Sequence, residues 1–202
     1  MTLLYWAIAG YLVGSIPFGL IIGKLFGVDV RDHGSGNIGA TNVSRTVGII
    51  PGALSFVLDM AKGSVPVFLA LYLGFEPWEA GLVGACVFLG HCWSPFLLFK
   101  GGKGISTSFG IIVALDWRLG LAAGALWLIL VLLWKMVSLS SILSISLVPF
   151  GFLLAKFDLL LFAVLVGMAL IAVIKHIPNI RRIIEGSEYR VGERVITNVN
   201  QD

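Results

Sequence analysis

The sequence predicts an all-α integral membrane protein, a bundle of seven transmembrane helices with the N-terminus outside and the C-terminus in the cytoplasm. Three observations support this fold class. The mean hydropathy is +0.99, 58% of the 202 residues are hydrophobic against 12% charged, and long apolar stretches recur along the chain. About 20 apolar residues cross a bilayer as a helix. We therefore expect one membrane-embedded domain over residues 1–202, in which residues 189–202 form a cytosolic tail.

The predicted helices correspond to seven apolar segments, at residues 3–24, 48–73, 79–99, 104–115, 119–134, 139–155 and 158–174. The first segment lacks the basic start and cleavage pattern of a signal peptide, so we expect it to be retained as a helix. The fourth segment is the shortest. Its length gives about 18 Å of helix, whereas the hydrocarbon core of a membrane is about 30 Å thick. It either extends from a neighbouring motif or forms a re-entrant hairpin with the fifth.

Basic residues divide unequally between the two sides of this arrangement. The connections after odd-numbered segments and the C-terminal tail lie on one side of the membrane, and the connections after even-numbered segments lie on the other. The first side holds Lys24, Arg31, Arg45, Lys100, Lys103, Lys135, Lys175, Arg181, Arg182, Arg190 and Arg194, whereas the second holds Arg118 and Lys156. The positive-inside rule therefore favours a multi-pass protein of the cell membrane with its C-terminus inside. The polar, glycine-rich stretches fall on the same side, which predicts a functional site facing the cytoplasm.

Composition argues against several other classes. The net charge of +3 is spread between segments and forms no dense patch, so we expect no nucleic acid partner. Cys86 and Cys92 are six residues apart, about 9 Å along a helix, which is too far for a disulfide. The histidines and acids lack metal-ligand spacing, so no metal or other cofactor is expected.

The stretch "GSGNIGATN", Gly34 to Asn42, is the first candidate binding motif. It matches a dinucleotide-binding pattern, but an apolar membrane segment precedes it where that fold needs a strand. Its small residues allow backbone amides to converge on an anion, and Ser35, Thr41, Asn42 and the following Arg45 add side-chain donors. The alternative is an interhelical loop whose Gly and Asn residues only make turns.

The stretch "FKGGKGISTS" is the second candidate motif. It is no nucleotide-binding P-loop, because Gly104 stands where Ser or Thr binds magnesium and Leu97 where the first glycine belongs. Two lysines and three glycines remain at the start of the next helix, a position that attracts anions. The alternative is that the lysines only satisfy the positive-inside rule.

Several ionisable residues lie in or beside the apolar segments. His91, near the inner end of the third segment, is more typical of a structural hydrogen bond than of acid or base chemistry. His176 stands three residues before Asn179, so the two share a helix face, with capping and catalysis as equal alternatives. Asp59 and Lys62 have the spacing of a self-neutralising pair.

The cytoplasmic face thus carries many donors for phosphate and few acids. Against a bilayer, such a site suits a molecule with a phosphate head and an acyl tail. The rival function is a transporter of phosphate-bearing metabolites, in which Asp59 and Lys62 line a path. No inverted repeat supports that rival. An interaction or scaffold protein leaves the glycine-rich loops unexplained.

Three motifs, "GSGNIGATNVSR", "GHCWSPFLLFKGGKG" and "HIPNIRRIIEGSE", together resemble the bacterial membrane glycerol-3-phosphate acyltransferases of the PlsY type, which use acyl phosphate as donor. The shorter stretches "DMAKG" and "SLSSI" are also similar, and the resemblance covers essentially the full chain. One departure is that Ser94 occupies the place where the family usually has proline, which here follows as Pro95.

The resemblance implies a seven-helix enzyme of phospholipid synthesis without cofactor or obligatory protein partner. It transfers a fatty acyl group from acyl phosphate to the 1-hydroxyl of glycerol 3-phosphate, giving lysophosphatidate and phosphate. The implied catalytic residues are Ser35, Arg45, Lys103, His176 and Asn179. The residues assigned to substrate binding are Gly34, Gly36, Asn37, Gly39, Thr41, Asn42, His91, Lys100, Gly101, Gly102, Gly104, Ser141 and Arg182.

An acyl phosphate is already activated, so positioning and charge stabilisation account for most of the expected rate. Our hypothesis is that Arg45, Lys103 and glycine amides hold the phosphates. Ser35, Asn179 and backbone donors then meet the developing oxyanion. The base is either His176 or the acceptor's own phosphate.

Overall fold

The computed structural model describes residues 2–193 and is all-α over that range, as predicted. Its helices are α1 (Thr2–Gly14), α2 (Phe18–Leu25), α3 (Ala40–Thr46), α4 (Ile49–Tyr72), α5 (Pro77–Cys92), α6 (Ile105–Leu115), α7 (Trp117–Trp134), α8 (Val137–Lys156), α9 (Leu159–Lys175) and α10 (Ile177–Ile184), with a 3₁₀ turn at Pro95–Leu97. Within the described range, five stretches are long and apolar enough to span a membrane, and a sixth follows if α9 and α10, bent by 52°, count as one. The chain is a multi-pass membrane protein.

The predicted segments are helical over most of their length, with three differences. Helix α6 has 11 residues, about 16 Å, so it is too short to cross the hydrocarbon core. A break at residues 15–17 divides the first segment, because Pro17 has no N–H to continue the helix. The third helix ends at Cys92 and not near residue 99, since a 3₁₀ turn and the left-handed residues Leu98 and Phe99 follow it.

Buried polar groups satisfy the backbone at the break between α1 and α2. Lys62 Nζ donates to the carbonyl of Ile16 at 2.7 Å, and Ser94 Oγ donates to the carbonyl of Ser15 at 2.7 Å. Asp59 forms an ion pair with Lys62 at 2.7 Å, as the spacing predicted. Because these groups are buried inside a membrane protein, an unsatisfied carbonyl there costs several kcal/mol. The Asp59–Lys62 pair therefore stabilises a broken membrane helix.

Small residues allow the helices to pack with their backbones close together. A Cβ at Gly14 of α1 would lie 2.0 Å from the Val87 carbonyl oxygen of α5, and one at Gly63 of α4 would lie 2.2 Å from that of Thr107 on α6. Such contacts are typical of helix association in membranes, where packing replaces the hydrophobic effect. Cys86 and Cys92 are free thiols on α5, as predicted.

The polar segments meet at one end of the bundle. Short turns reverse the chain at its other end, where Asp116 before α7 pairs with Lys156 at the end of α8 at 2.9 Å. Short turns of this kind make neighbouring helices antiparallel. The loops before α3 and α6 and the segment around α10 therefore converge at the opposite end, which we call the site end.

Candidate active site

A cavity of about 400 Å³ opens at the site end and contains all five predicted catalytic residues: Ser35, Arg45, Lys103, His176 and Asn179. Of the predicted substrate-binding residues, its lining includes Asn37, Gly39, Thr41, Asn42, His91, Gly104 and Ser141. The lining does not include Gly34, Gly36, Lys100, Gly101, Gly102 or Arg182. Three motifs that are far apart in sequence thus share one cavity.

The buried Asn42 side chain shapes the first loop. Its Oδ1 accepts from the Ser35 amide at 2.9 Å, and its Nδ2 donates to the carbonyls of Val30 at 2.8 Å and His33 at 3.1 Å. Because these bonds engage both ends of the amide, Asn42 holds the loop and does not offer a free donor to a substrate. Gly34 has a φ of +61°, and a Cβ there would lie 2.4 Å from Asn42 Oδ1.

The predicted anion nest of the first motif is largely occupied by the loop itself. The Gly36 amide donates to the His33 carbonyl at 3.0 Å, and the Gly39 amide donates to Asn37 Oδ1 at 2.8 Å. The glycines therefore serve the turn, which was the alternative interpretation. The polar side chains of Ser35 and Thr41, with Arg45, are what this loop and α3 bring to the cavity.

Arg45 is held by an aromatic ring. Its Cζ lies 4.2 Å from the ring centroid of Tyr189, and its buried Nε has no hydrogen-bond partner among the described residues. Burial lowers the pKa of Arg45, but a guanidinium remains charged in a protein. The site thus contains a fixed, partly desolvated cation.

Lys103 belongs to a hydrogen-bonded chain. Its Nζ donates to Asn179 Oδ1, and Asn179 Nδ2 donates to Glu188 Oε1 at 2.7 Å. Glu188 also accepts from Ser138 Oγ at 2.8 Å and from Arg182 Nε at 2.8 Å. Burial lowers the pKa of Lys103 to about 8, while the nearby Glu188 carboxylate partly offsets this effect. Glu188 therefore organises the side chains around Lys103.

The amides of Gly101 and Gly102, which were predicted to bind phosphate, form hydrogen bonds within the protein. These amides donate to the carbonyls of Cys92 at 3.2 Å and His91 at 3.0 Å, at the C-terminal end of α5. A Cβ at Gly102 would lie 2.2 Å from His91 Nε2, so this glycine allows the loop to pack on the histidine. Lys100 is exposed and lies outside the cavity lining, because the left-handed turn before it directs the chain outward.

Two further assignments change in role. Ser141 Oγ donates to the Val137 carbonyl at 2.8 Å and accepts from Trp127 Nε1 at 3.0 Å, so it joins α7 to α8. Arg182 does not reach the cavity lining, because its Nε is engaged by Glu188. Tyr189, the first residue of the predicted tail, lines the cavity. The other tail residues from 194 onward lie outside the described part of the chain.

The two histidines differ in their surroundings. His176 Nδ1 lies 2.7 Å from the Ala172 carbonyl oxygen, which only accepts, so Nδ1 carries the proton and Nε2 keeps a lone pair. His91 is buried, its Nδ1 lies 3.7 Å from Asp59 Oδ1, and its ring packs against Gly102. His176 is therefore arranged as a proton acceptor, whereas His91 supports the Lys103 loop.

The deeper part of the cavity is apolar. It passes between α4, α6, α7 and α8, and its lining there includes Phe56, Phe109, Ile112, Trp127, Leu128, Ile145 and Val148. From Ser138 to Val148 along α8 the wall descends about 15 Å from the site end. One cavity therefore combines a cationic mouth with a long apolar interior.

The charges of the lining favour an anion. Among its described residues, the carboxylates Asp59 and Glu188 are each paired with a basic residue, Lys62 and Arg182. Among the carboxylates of residues 2–193, none lies within ion-pair distance of Arg45 or Lys103. In the described part of the chain, no three His, Cys, Asp or Glu side chains are grouped to hold a metal.

The sequence model of the glycerol-3-phosphate acyltransferase family matches residues 4–186. The chain belongs to this family. The glycerol-3-phosphate acyltransferase of Trichlorobacter lovleyi is 46% identical over 186 residues, which are 92% of this chain and 95% of the relative. That of Dinoroseobacter shibae is 43% identical over 189 residues, 93% of this chain and 92% of the relative. The family resemblance inferred from the motifs is confirmed.

Solved structures of a glycerol-3-phosphate acyltransferase share this fold. The crystal structure of PlsY (YgiH), an integral membrane glycerol 3-phosphate acyltransferase, in the glycerol 3-phosphate form has a TM-score of 0.91 at 36% identity, covering 95% of this chain and 96% of that one. Its lysophosphatidic acid form has a TM-score of 0.89 at 35% identity, covering 96% of this chain and 97% of that one.

Sequence reasoning missed two parts of this candidate site. Tyr189 follows the last motif and lies beyond the matched family region, so no pattern singled it out. Glu188 ends the third motif, but the motif gave no indication that it binds Asn179 and Ser138. The stretch "SLSSI", which begins at Ser138 near the start of α8, is the signal that could have indicated the contact with Glu188.

Proposed function

We propose that this glycerol-3-phosphate acyltransferase uses acyl phosphate as its donor and acylates the 1-hydroxyl of glycerol 3-phosphate at the cavity described above. Family membership makes the chain an acyltransferase of phospholipid synthesis. The observation that carries the proposal is that one cavity combines an apolar interior with two cations, Arg45 and Lys103, neither of which is ion-paired with a carboxylate of the described residues. Such a cavity matches two phosphate-bearing substrates of which one has an acyl tail.

The donor lies with its tail along the apolar wall formed by Phe109, Trp127 and Leu128. Its phosphate meets Lys103 and the start of α6, where Gly104, Ile105 and Ser106 line the cavity. Backbone amides at the start of a helix favour an anion. Glycerol 3-phosphate enters from the water side and places its phosphate at Arg45.

The reaction moves one acyl group and one proton. The 1-hydroxyl oxygen of glycerol 3-phosphate forms a bond to the acyl carbonyl carbon, and the bond from that carbon to the phosphate oxygen breaks. The phosphate leaves with the electron pair. The hydroxyl proton goes either to His176 Nε2 or to a phosphate oxygen.

Fixed charge rather than a protein nucleophile lowers the barrier. Lys103 neutralises the leaving phosphate, and Ser35 donates to the oxyanion that develops on the carbonyl. Asn179 holds Lys103 in place, because its oxygen faces the ammonium and its nitrogen faces Glu188. This role replaces the direct oxyanion contact predicted for Asn179 from the sequence.

We infer that the site end faces the cytoplasm, with the N-terminus outside and seven membrane segments of which α6 is a partial one. The site end carries most of the basic residues, whereas Arg118 and Lys156 flank the turns at the other end. Excess Lys and Arg mark the cytoplasmic side. If α6 and α7 instead form a hairpin that does not cross the membrane, every other loop stays on the same side of the membrane. No protein partner is needed for this reaction.

Purified protein in lipid, supplied with acyl phosphate and labelled glycerol 3-phosphate, tests the proposal. We expect equal amounts of lysophosphatidate and inorganic phosphate. The variant Lys103→Ala should lose at least a hundredfold in kcat/KM, while Lys100→Ala, a matched lysine outside the cavity, should stay within about twofold. Equal losses in both variants, or no product from the parent protein, would refute it.

The variant His176→Gln decides between the two proton acceptors. If His176 Nε2 takes the proton, kcat should fall at least a hundredfold. If a phosphate oxygen takes it, kcat should stay within about threefold, which is under about 0.7 kcal/mol of barrier.

A further inference from the structure

The chain after α10 folds back over the mouth of the cavity. The Ser187 amide donates to the Arg182 carbonyl at 2.8 Å, and the Val191 amide donates to the Lys135 carbonyl at 2.8 Å. Between these two anchors, the Glu188 side chain is only 5% exposed and binds Ser138, Asn179 and Arg182. Tyr189 is therefore held at a defined position beside the site.

Tyr189 contacts both guanidinium groups of the mouth. Its ring centroid lies 4.2 Å from Cζ of Arg45 and 5.8 Å from Cζ of Arg182, and its hydroxyl donates to the Gly34 carbonyl at 3.2 Å. The hydroxyl bond fixes the ring against the first loop. The ring is thus near two arginines, of which Arg45 lines the cavity and Arg182 does not.

An aromatic ring holds a cation without neutralising it. A carboxylate at this place would fix Arg45 more strongly, but it would also compete with a substrate phosphate for the guanidinium. A ring face attracts the cation through its quadrupole and leaves the N–H groups available. Arg45 Nε has no hydrogen-bond partner among the described residues, which agrees with a guanidinium kept ready for an anion.

We propose that Tyr189 is a positioning residue that sets the affinity for glycerol 3-phosphate by holding the Arg45 guanidinium over the cavity. This inference rests on the proposed function, in which Arg45 binds the phosphate of glycerol 3-phosphate. It concerns a residue beyond the region that the family model matches, residues 4–186. The ring, and not the hydroxyl, is the part that acts on Arg45.

The test compares Tyr189→Met, which keeps an apolar side chain without a ring face, with Tyr189→Phe, which keeps the ring. We expect Y189M to raise the KM for glycerol 3-phosphate by about 3- to 30-fold, with kcat and the KM for acyl phosphate within about twofold. We expect Y189F to stay within about threefold of the parent protein in all three constants. Glycerol 3-phosphate should also raise the Tm of Y189F more than that of Y189M.

Several results would overturn the inference. An unchanged KM in Y189M, a fall in kcat alone, or equal damage in Y189F and Y189M would each do so. Y189L is made alongside Y189M, and failure of both to fold would show that Tyr189 is structural. An inactive parent protein would instead contradict the proposed function, so the two failures are distinguishable.

Discussion

The partly buried ammonium of Lys103 gives the enzyme an alkaline limit. Its pKa is lowered to about 8, chiefly by burial; the nearby guanidinium groups of Arg182 and Arg45 contribute to this shift, and Glu188 opposes it. Only the protonated lysine neutralises phosphate, so activity must fall as the pH rises through this pKa. Protonation falls from about nine tenths at pH 7 to about one tenth at pH 9, which predicts a roughly tenfold fall in kcat/KM.

The replacement Lys103→Arg isolates this effect, because a guanidinium stays charged throughout the range. We expect kcat/KM of the variant to be lower at pH 7, since its planar fork does not fit the contact with Asn179, but to stay flat up to pH 10. The assay is initial-rate release of phosphate in lipid from pH 6 to pH 10. The substrate phosphates are fully ionised above about pH 7.5 and add no alkaline limb.

Lys100→Arg is the matched control, because Lys100 is exposed and lies outside the cavity lining. It should keep the alkaline fall of the parent protein. A parent profile that is flat to pH 10, or a Lys103→Arg profile that still falls near pH 8, would refute the assignment.

Two further predictions concern the membrane interior. Lys62→Met leaves the buried Asp59 carboxylate without its cation. It should lower the free energy of unfolding by about 3–5 kcal/mol, measured by denaturation in detergent, and a loss below 1 kcal/mol would contradict the role given to the pair. A Cβ at Gly124 would lie 3.1 Å from the Phe109 ring. In Gly124→Leu the added side chain therefore narrows the apolar part of the cavity. The ratio of kcat/KM for long over short acyl phosphates should fall at least fivefold, whereas Gly167→Leu, with nothing within 4 Å of its Cβ, should leave it unchanged.

The sequence predicted which candidate catalytic side chains come together better than it predicted the contacts of backbone amides. Residues 35, 45, 103, 176 and 179 all reach one cavity, because each motif ends or begins a helix at the site end. The partners of an amide depend instead on which carbonyls a turn brings near. The amides of Gly101 and Gly102 bond to the end of α5, a contact that no local pattern encodes.

The break in the first span could not be predicted from the sequence for a related reason. Its apolar composition is continuous from residue 3 to residue 24, and Pro17 alone does not predict a break in a membrane helix. The break is stable because Lys62 and Ser94 supply donors from α4 and from the loop after α5. These donors come from residues more than 40 positions away, so only the tertiary structure reveals them.

Tyr189 illustrates how a site extends past its motifs. It follows a recognisable stretch, but its position depends on three bonds made by its neighbour Glu188 and on the Lys135 carbonyl. Sequence alone gave this segment no role.

An experimental structure of the protein with glycerol 3-phosphate bound tests the central claim most directly. The account predicts that the phosphate lies inside the cavity within hydrogen-bond distance of the Arg45 guanidinium, with the glycerol 1-hydroxyl directed toward the space between Ser35 and His176. A phosphate bound outside the cavity, for example at Lys100, with Arg45 and Lys103 free of contact, would contradict it.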